Sequence, residues 1–272
     1  MGLYRAKPED GAAWVTGASS GIGLQLAIDL AREGYTVAAT ARNRDKLTEL
    51  VAQGQGLKGR IVAFPCDVTD EQAMRNMVKA IEAQLGEITL AIFNAGEYLP
   101  ARGDALESTN FIKSFEINVF GVVFGLVPIL ERMRERGRGH VAVMGSISAY
   151  GGLPRAAAYG ATKAALNNMA QALKFDLDRM NVRIQIINPG FIDTPFTRNN
   201  RFAMPALMSV TRASELIVRG IKTGGFEVAF PRRLTLLLKL INMLPHSFYF
   251  AFLTWAMGRR KRPRISGKKS KR

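Results

Sequence analysis

Residues 12–23 read AAWVTGASSGIG. The first five are apolar or β-favouring, and such a run predicts a strand buried on both faces. Glycines follow at 17, 21 and 23, and the chain then enters IGLQLAIDLAR. The apolar spacing of that segment predicts a helix from about Ile22 to Arg32. A glycine-rich turn between a strand and a helix N-terminus lets backbone approach a pyrophosphate. The free N–H groups and the helix dipole favour its charge. The spacing here is G-x-x-x-G-x-G rather than G-x-G-x-x-G, so the turn carries weight only if more strands and helices alternate after it.

They do. TVAATA (36–41), RIVAFPCD (60–67), LAIFNAG (90–96), HVAVMGS (140–146), RIQIINP (183–189) and FEVAFP (226–231) read as further strands. Between them lie amphipathic stretches at 43–53 and 70–86, a long helix from about Ser108 to Arg136, and another over 155–180. Strands this apolar belong to a parallel sheet covered on both faces. The expected fold is therefore α/β, a doubly wound parallel sheet of about seven strands. Residues 195–210 are apolar but aperiodic and carry two prolines, which predicts a loop or lid.

Composition narrows the function. The 272 residues suit one large domain. A single cysteine, Cys66, excludes a disulfide framework and fits a reducing compartment. The first fifteen residues lack the apolar core of a secretory signal. Net charge is +16, yet twelve basic and no acidic residues lie in 231–272, so residues 1–230 carry only +4. We expect three parts: a dinucleotide-binding and catalytic domain over 1–230, an apolar helical extension over 231–258, and a basic, disordered tail over 259–272.

The second strand ends Thr40-Ala41-Arg42. An acidic residue here would bond the ribose 2′-hydroxyl of NAD, and none is present. Arg42 offers instead a guanidinium fork for a 2′-phosphate, which favours NADP(H) as cofactor. Further on, YGATK spans Tyr159 to Lys163. Residues four apart share a helix face, so the phenol and the ammonium can point into one space.

The order TGxxxGxG, NAG at Asn94–Gly96, Asn118, Ser146 thirteen positions before Tyr159, YxxxK and PGxxxT resembles the short-chain dehydrogenase/reductase family over about residues 10–230. The resemblance implies an oxidoreductase that moves a hydride between nicotinamide and a carbonyl or secondary alcohol. It makes Tyr159 the general acid/base and has Lys163 lower the phenol pKa and hold the nicotinamide ribose. Ser146 would polarise the substrate oxygen. Asn118 would position a water linking Lys163 to solvent. Cofactor contacts fall by resemblance on Gly17, Ser19, Ser20, Gly21, Ile22 and Gly23, on Arg42, and on Asp67 and Val68. They continue at Asn94, Ala95 and Gly96, at Tyr159 and Lys163, and at Pro189, Gly190, Ile192 and Thr194. Family members form dimers and tetramers, so a homo-oligomer is expected.

The substrate is less legible. Around the site, Ser146, Tyr150, Leu153, Phe196 and Phe202 are the expected contacts, and the apolar character of the last four, with Met204 and Leu207, points to a hydrophobic or lipid-like molecule. Leu234 to Met257 is almost continuously apolar but broken by Pro245 and flanked by basic residues on both sides. Two short helices lying on an anionic membrane surface fit that pattern better than a span. A subunit interface or a cap over the substrate pocket is the alternative. The expected location is cytoplasmic, with peripheral contact on the cytoplasmic face of a membrane. No residue cluster suggests a metal. The basic tail lacks aromatic residues for stacking on bases, so no specific nucleic acid is expected. The competing reading of the whole chain is a non-enzymatic NADP(H) sensor that docks on membranes or partners through its tail.

Overall fold

Seven parallel strands form one sheet in the order β3-β2-β1-β4-β5-β6-β7. The computed structural model describes residues 2–101, 103–195, 197 and 204–256. The strands are β1 Ala12–Thr16, β2 Thr36–Ala41, β3 Arg60–Pro65, β4 Ile88–Phe93, β5 Gly139–Met144, β6 Val182–Pro189 and β7 Glu227–Phe230. Each lies where the apolar runs predict a strand, within a few residues. The helices are α1 Gly21–Glu33, α2 Arg44–Gln53, α3 Glu71–Leu85, α4 Ser108–Phe115, α5 Gly121–Arg136, α6 Ala157–Arg179, α7 Val210–Thr223, α8 Arg232–Asn242 and α9 His246–Ala256.

β1 shows why the sheet needs cover on both sides. All five of its residues are buried, and alternate side chains point to opposite faces. Ala13 and Val15 join Leu26 and Leu30 of α1 and Ile217 and Ile221 of α7. Trp14 points the other way, to Phe93, Met74 and Ile129. Its ring meets Phe93 edge-on at 5.5 Å, and its indole N–H donates to Thr40 Oγ1 at 2.9 Å. A large side chain thus fills the centre with its one polar atom satisfied.

Two features depart from the sequence expectation. The long helix from Ser108 to Arg136 contains a π turn over Glu116–Phe120, and Asn118 lies inside it. By length and hydropathy this helix would pass for a membrane span. Val122, Leu126, Ile129 and Met133 instead pack on the sheet. The second departure is α7, which the sequence reading left unassigned. Ser209 caps it by accepting from the Arg212 N–H, and Ala213, Ile217 and Ile221 bury one stripe against the sheet.

The interior strand β5 holds a buried histidine near its N-terminal end. His140 on β5 is fully buried and shares a hydrogen bond of 2.9 Å between Nε2 and Gln185 Oε1. The Gln185 amide nitrogen donates to the carbonyls of Gly225 (2.6 Å) and Gly220 (3.1 Å). That fixes which end of the amide accepts, so Nε2 carries the ring proton. Nδ1 has no partner. A second proton there would be a buried charge without an acceptor, and burial holds the ring pKa down to about 3. A folded-state pKa below the unfolded value of about 6.5 contributes stability that is full above that value and lost as pH falls toward 3, at about 1.4 kcal/mol per unit. His140→Gln keeps a donor for Gln185 without the titration. We therefore expect the urea midpoint to fall less steeply for this variant than for wild type between pH 6.5 and 4. Parallel curves would remove His140 from the acid response.

Candidate active site

The C-terminal ends of β1 and β4 are tied together. Thr16 Oγ1 accepts from the backbone N–H groups of Asn94 (3.0 Å) and Ala95 (3.1 Å). The Asn94 amide donates to Thr16 O (3.1 Å) and Gly17 O (3.3 Å). Two glycines make this approach possible. Gly17 has φ +69°, and a Cβ there would sit 2.7 Å from Ala95 Cα. A Cβ on Gly23 would lie 2.3 Å from Gly17 O and 2.4 Å from Asn94 Nδ2. Gly23 is therefore a packing glycine and, contrary to the sequence expectation, does not line the cavity. Gly17, Ser19, Ser20, Gly21 and Ile22 do line it. Ser20 makes no side-chain cap to α1. The helix therefore presents uncapped N–H groups beside the cavity, the arrangement that suits a phosphate.

Arg42 stands at the rim with 71% of its side chain exposed, its guanidinium 3.8 Å from the Asp67 carboxylate. An exposed pair of this kind is weak, at about 0–1 kcal/mol. It leaves the fork available to an anion. Asp67 is oriented by bonds to its Oδ1 from the Thr69 N–H (3.0 Å) and hydroxyl (2.8 Å). Asp67, Val68, Asn94, Ala95 and Gly96 line the same wall, and Pro189, Gly190, Ile192 and Thr194 line the wall that follows β6.

The first turn of α6 brings Tyr159 and Lys163 together, with Lys163 Nζ 5.6 Å from the phenol ring centroid. Nζ donates to Met144 O at 2.7 Å. Ser146 follows β5, its N–H bonded to Asn188 Oδ1 (2.9 Å) and its hydroxyl accepting from the Ser148 N–H (3.2 Å). All three side chains reach the cavity. The protein's own groups set the electrostatics of the pair before any ligand charge is added. Burial pushes Tyr159 up to about 12, the Ser146 hydroxyl pulls it back only in part, and Tyr98 adds to the rise. Burial also lowers Lys163 to about 8. For the phenol, desolvation outweighs the Ser146 hydrogen bond.

Asn118 is fully buried. Its amide nitrogen donates to Glu97 O (2.9 Å) and Thr162 Oγ1 (3.1 Å), and its Oδ1 accepts from the Glu97 N–H (2.7 Å). Thr162 Oγ1 in turn donates to Tyr159 O (2.6 Å). Both amide hydrogens are therefore committed to protein acceptors. They clamp the segment after β4 to the tyrosine turn of α6.

The cavity measures about 1240 Å³. Beyond Tyr159 its walls are apolar, from Leu153, Leu234, Leu238, Phe252 and Leu253. The α8–α9 extension thus caps the pocket, the alternative reading of that segment. Leu153, an expected substrate contact, is on this wall. Tyr150 is not. Its hydroxyl donates to Glu227 Oε1 at 2.5 Å, and Lys239 of α8 pairs with the same carboxylate. Asn188 also donates to Glu227, at 2.8 Å. Burial pushes the carboxyl up, but these three donors outweigh it and hold it below the usual range. Phe196 and Phe202, with much of the expected lid, lie outside the described residues.

Sequence reasoning missed Tyr98, which lines the cavity edge-on to Tyr159 at 5.4 Å. It also missed Glu227, which joins the cap to Asn188 and, through Asn188, to the Ser146 backbone. One available signal was that Glu227 is the lone charged residue in a strand otherwise read as apolar.

The sequence profile of the short chain dehydrogenase family matches residues 11–204. An uncharacterized oxidoreductase of Myxococcus xanthus is 35% identical over 239 residues, covering 88% of this chain and 94% of that protein. Another, from Staphylococcus epidermidis, is 30% identical over 213 residues, covering 78% and 91%. Among solved structures, an alcohol dehydrogenase from Thermococcus sibiricus complexed with 5-hydroxy-NADP superposes with a TM-score of 0.73 at 25% identity, covering 80% of this chain and 95% of that one. A short-chain dehydrogenase from Streptomyces avermitilis gives a TM-score of 0.74 at 23% identity, covering 90% and 96%. With the turn after β1 and the Tyr159–Lys163 pair both inside the matched residues, this chain belongs to the short-chain dehydrogenase family and is an oxidoreductase of that type.

Proposed function

We propose that the protein is an NADP(H)-dependent carbonyl reductase for an apolar ketone or aldehyde. The observation that carries this reading is one continuous cavity. Its apolar wall meets the buried Ser146, Tyr159 and Lys163, and its other end runs past the uncapped start of α1 to the open Arg42 guanidinium. The residues fit the cofactor on their own chemistry: a glycine turn without side chains in the way, free helix N–H groups for the pyrophosphate, and after β2 a cation that Asp67 holds only weakly. The likeness to a structure solved with 5-hydroxy-NADP supports the same choice.

Bound nicotinamide supplies the hydride. The protein's part is to hold the carbonyl and deliver a proton. The Ser146 hydroxyl donates to the substrate oxygen and aligns it with the phenol. Tyr159, raised to about 12, is protonated at neutral pH and gives its proton to the developing alkoxide, which is far more basic than a phenolate. Lys163, still a cation below about pH 8, stabilises the phenolate left behind. Asn118 is a positioning residue that fixes the Tyr159 turn through Thr162.

We read residues 1–230 as the catalytic unit and α8–α9 as its cap. Exposed Ile112, Phe120, Val127 and Phe175 on α4, the π turn, α5 and α6 support a homo-dimer or homo-tetramer. The buried free Cys66 is consistent with a reducing cytoplasm.

Three outcomes test the reading. Tyr159→Phe should lower kcat for NADPH-dependent reduction of a long-chain ketone by ~10²–10⁴-fold; steady-state turnover close to wild type would remove the phenol from the chemistry. Arg42→Ala should cut the ratio of kcat/KM for NADPH over NADH by about tenfold or more, and an unchanged ratio would show that another group selects the phosphate. In a pH–rate profile, kcat/KM for reduction should decline above about pH 8 by about tenfold per unit, as Lys163 loses its charge. A profile flat to pH 10 would contradict the assigned role of the ammonium.

A further inference from the structure

α8 carries leucines on both its inner and its outer face, although Arg232, Arg233, Lys239 and Asn242 interrupt them. Thr235 and Ile241 are buried and Leu234 and Leu238 line the cavity, yet Leu236, Leu240 and, just past the helix end, Met243 are exposed on the other side. A soluble helix ordinarily keeps its apolar residues on the covered side, so leucines on the outer face call for a second cover. α9 repeats the arrangement, with Tyr249 and Leu253 inward and Phe248 and Trp255 outward. Eight of the fourteen large exposed hydrophobic residues among those described fall within residues 236–255. That concentration marks an interaction surface rather than scattered exposure.

We propose that this outer face docks on an anionic lipid bilayer. Two observations select lipid over a protein partner. The first is charge. No acidic residue occurs from 231 to 272, Arg232 and Arg233 are exposed at the start of α8, and nine more basic residues follow from 259 onward. An apolar patch bracketed by cations matches acyl chains beneath anionic headgroups. The second is the corner between the helices, where Met243 is 81% exposed. The N–H groups of Met243 and Leu244 are satisfied by Leu240 O and Ile241 O at 3.1 Å each. Pro245 has no N–H, and its carbonyl accepts from Phe248 (2.9 Å) and Tyr249 (3.2 Å). The backbone of this corner can therefore leave water without stranding these groups. The inner faces of the same helices line the catalytic cavity, so the bilayer would lie about one helix diameter, ~10 Å, from the substrate pocket.

The two tryptophans supply the test, because Trp14 is fully buried and Trp255 is 76% exposed. Purified full-length protein is mixed with vesicles of phosphatidylcholine alone, or of phosphatidylcholine with phosphatidylglycerol. Co-sedimentation and tryptophan emission are recorded, and neither readout uses turnover, so failure here is separable from failure of the proposed reaction. We expect co-sedimentation with the anionic vesicles and a shift of emission to shorter wavelength. Trp255→Phe should abolish the shift but not the sedimentation. Leu240→Glu/Met243→Glu should weaken sedimentation by about tenfold or more, with the circular dichroism unchanged. Absence of sedimentation overturns the proposal. So does sedimentation without a Trp255 shift, and so does sedimentation that the double variant leaves intact, which would reduce it to electrostatics of the basic tail. A concentration-dependent shift without vesicles, with a dimer lost in the double variant, would give the face to a second copy of the chain and equally overturn it.

Discussion

The fold turns on the seam between β1 and β4, where the strand order reverses. One threonine hydroxyl and one asparagine amide join the ends of two strands that are neighbours in the sheet but about 75 residues apart in sequence. The approach is so close that Gly23 has no room for a Cβ and Gly17 must take a left-handed backbone. Once the seam closes, the glycine turn and the Asn94–Gly96 segment form two sides of one crevice, and α1 opens into it. A ligand site at a strand-order reversal follows from topology, since the connections on either side run away from each other and leave a gap.

The reacting groups are held by a second layer of bonds that does no chemistry. Asn188 is the clearest case. It accepts from the Ser146 N–H and from Asn167, and donates to Asn167 and Glu227. Glu227 collects Tyr150 from the loop after β5 and Lys239 from the cap. A half-buried carboxylate is costly unless its donors are in place. Here they come from three separate elements, so the seating of α8 and the setting of Ser146 are parts of one arrangement.

Charge placement in the site depends on burial more than on proximity. The textual pairing of a tyrosine with a lysine four residues on suggests a phenol made acidic by its neighbour. In the fold, both groups lose water, and each is driven toward its neutral form. That opposes phenolate formation by the protein's own groups. The sign could not be read from spacing, because it is set by how much protein surrounds the pair.

Much of the architecture was legible in the chain. Seven apolar runs marked the strands, the glycine turn marked the first crossover, and the Ser146, Tyr159 and Lys163 spacing marked residues that do meet in one cavity. These are local patterns, and alternation of strand and helix leaves few topologies open. α7 escaped notice because its apolar stripe is interleaved with charges and follows an aperiodic loop. The π turn at Asn118, the loss of Tyr150 to Glu227 and the roles of Tyr98 and Gly23 were decided by tertiary contacts between segments distant in sequence. So was the double character of the C-terminal helices. Composition alone declared them apolar, and only packing shows which side covers the cavity and which side is left facing outward.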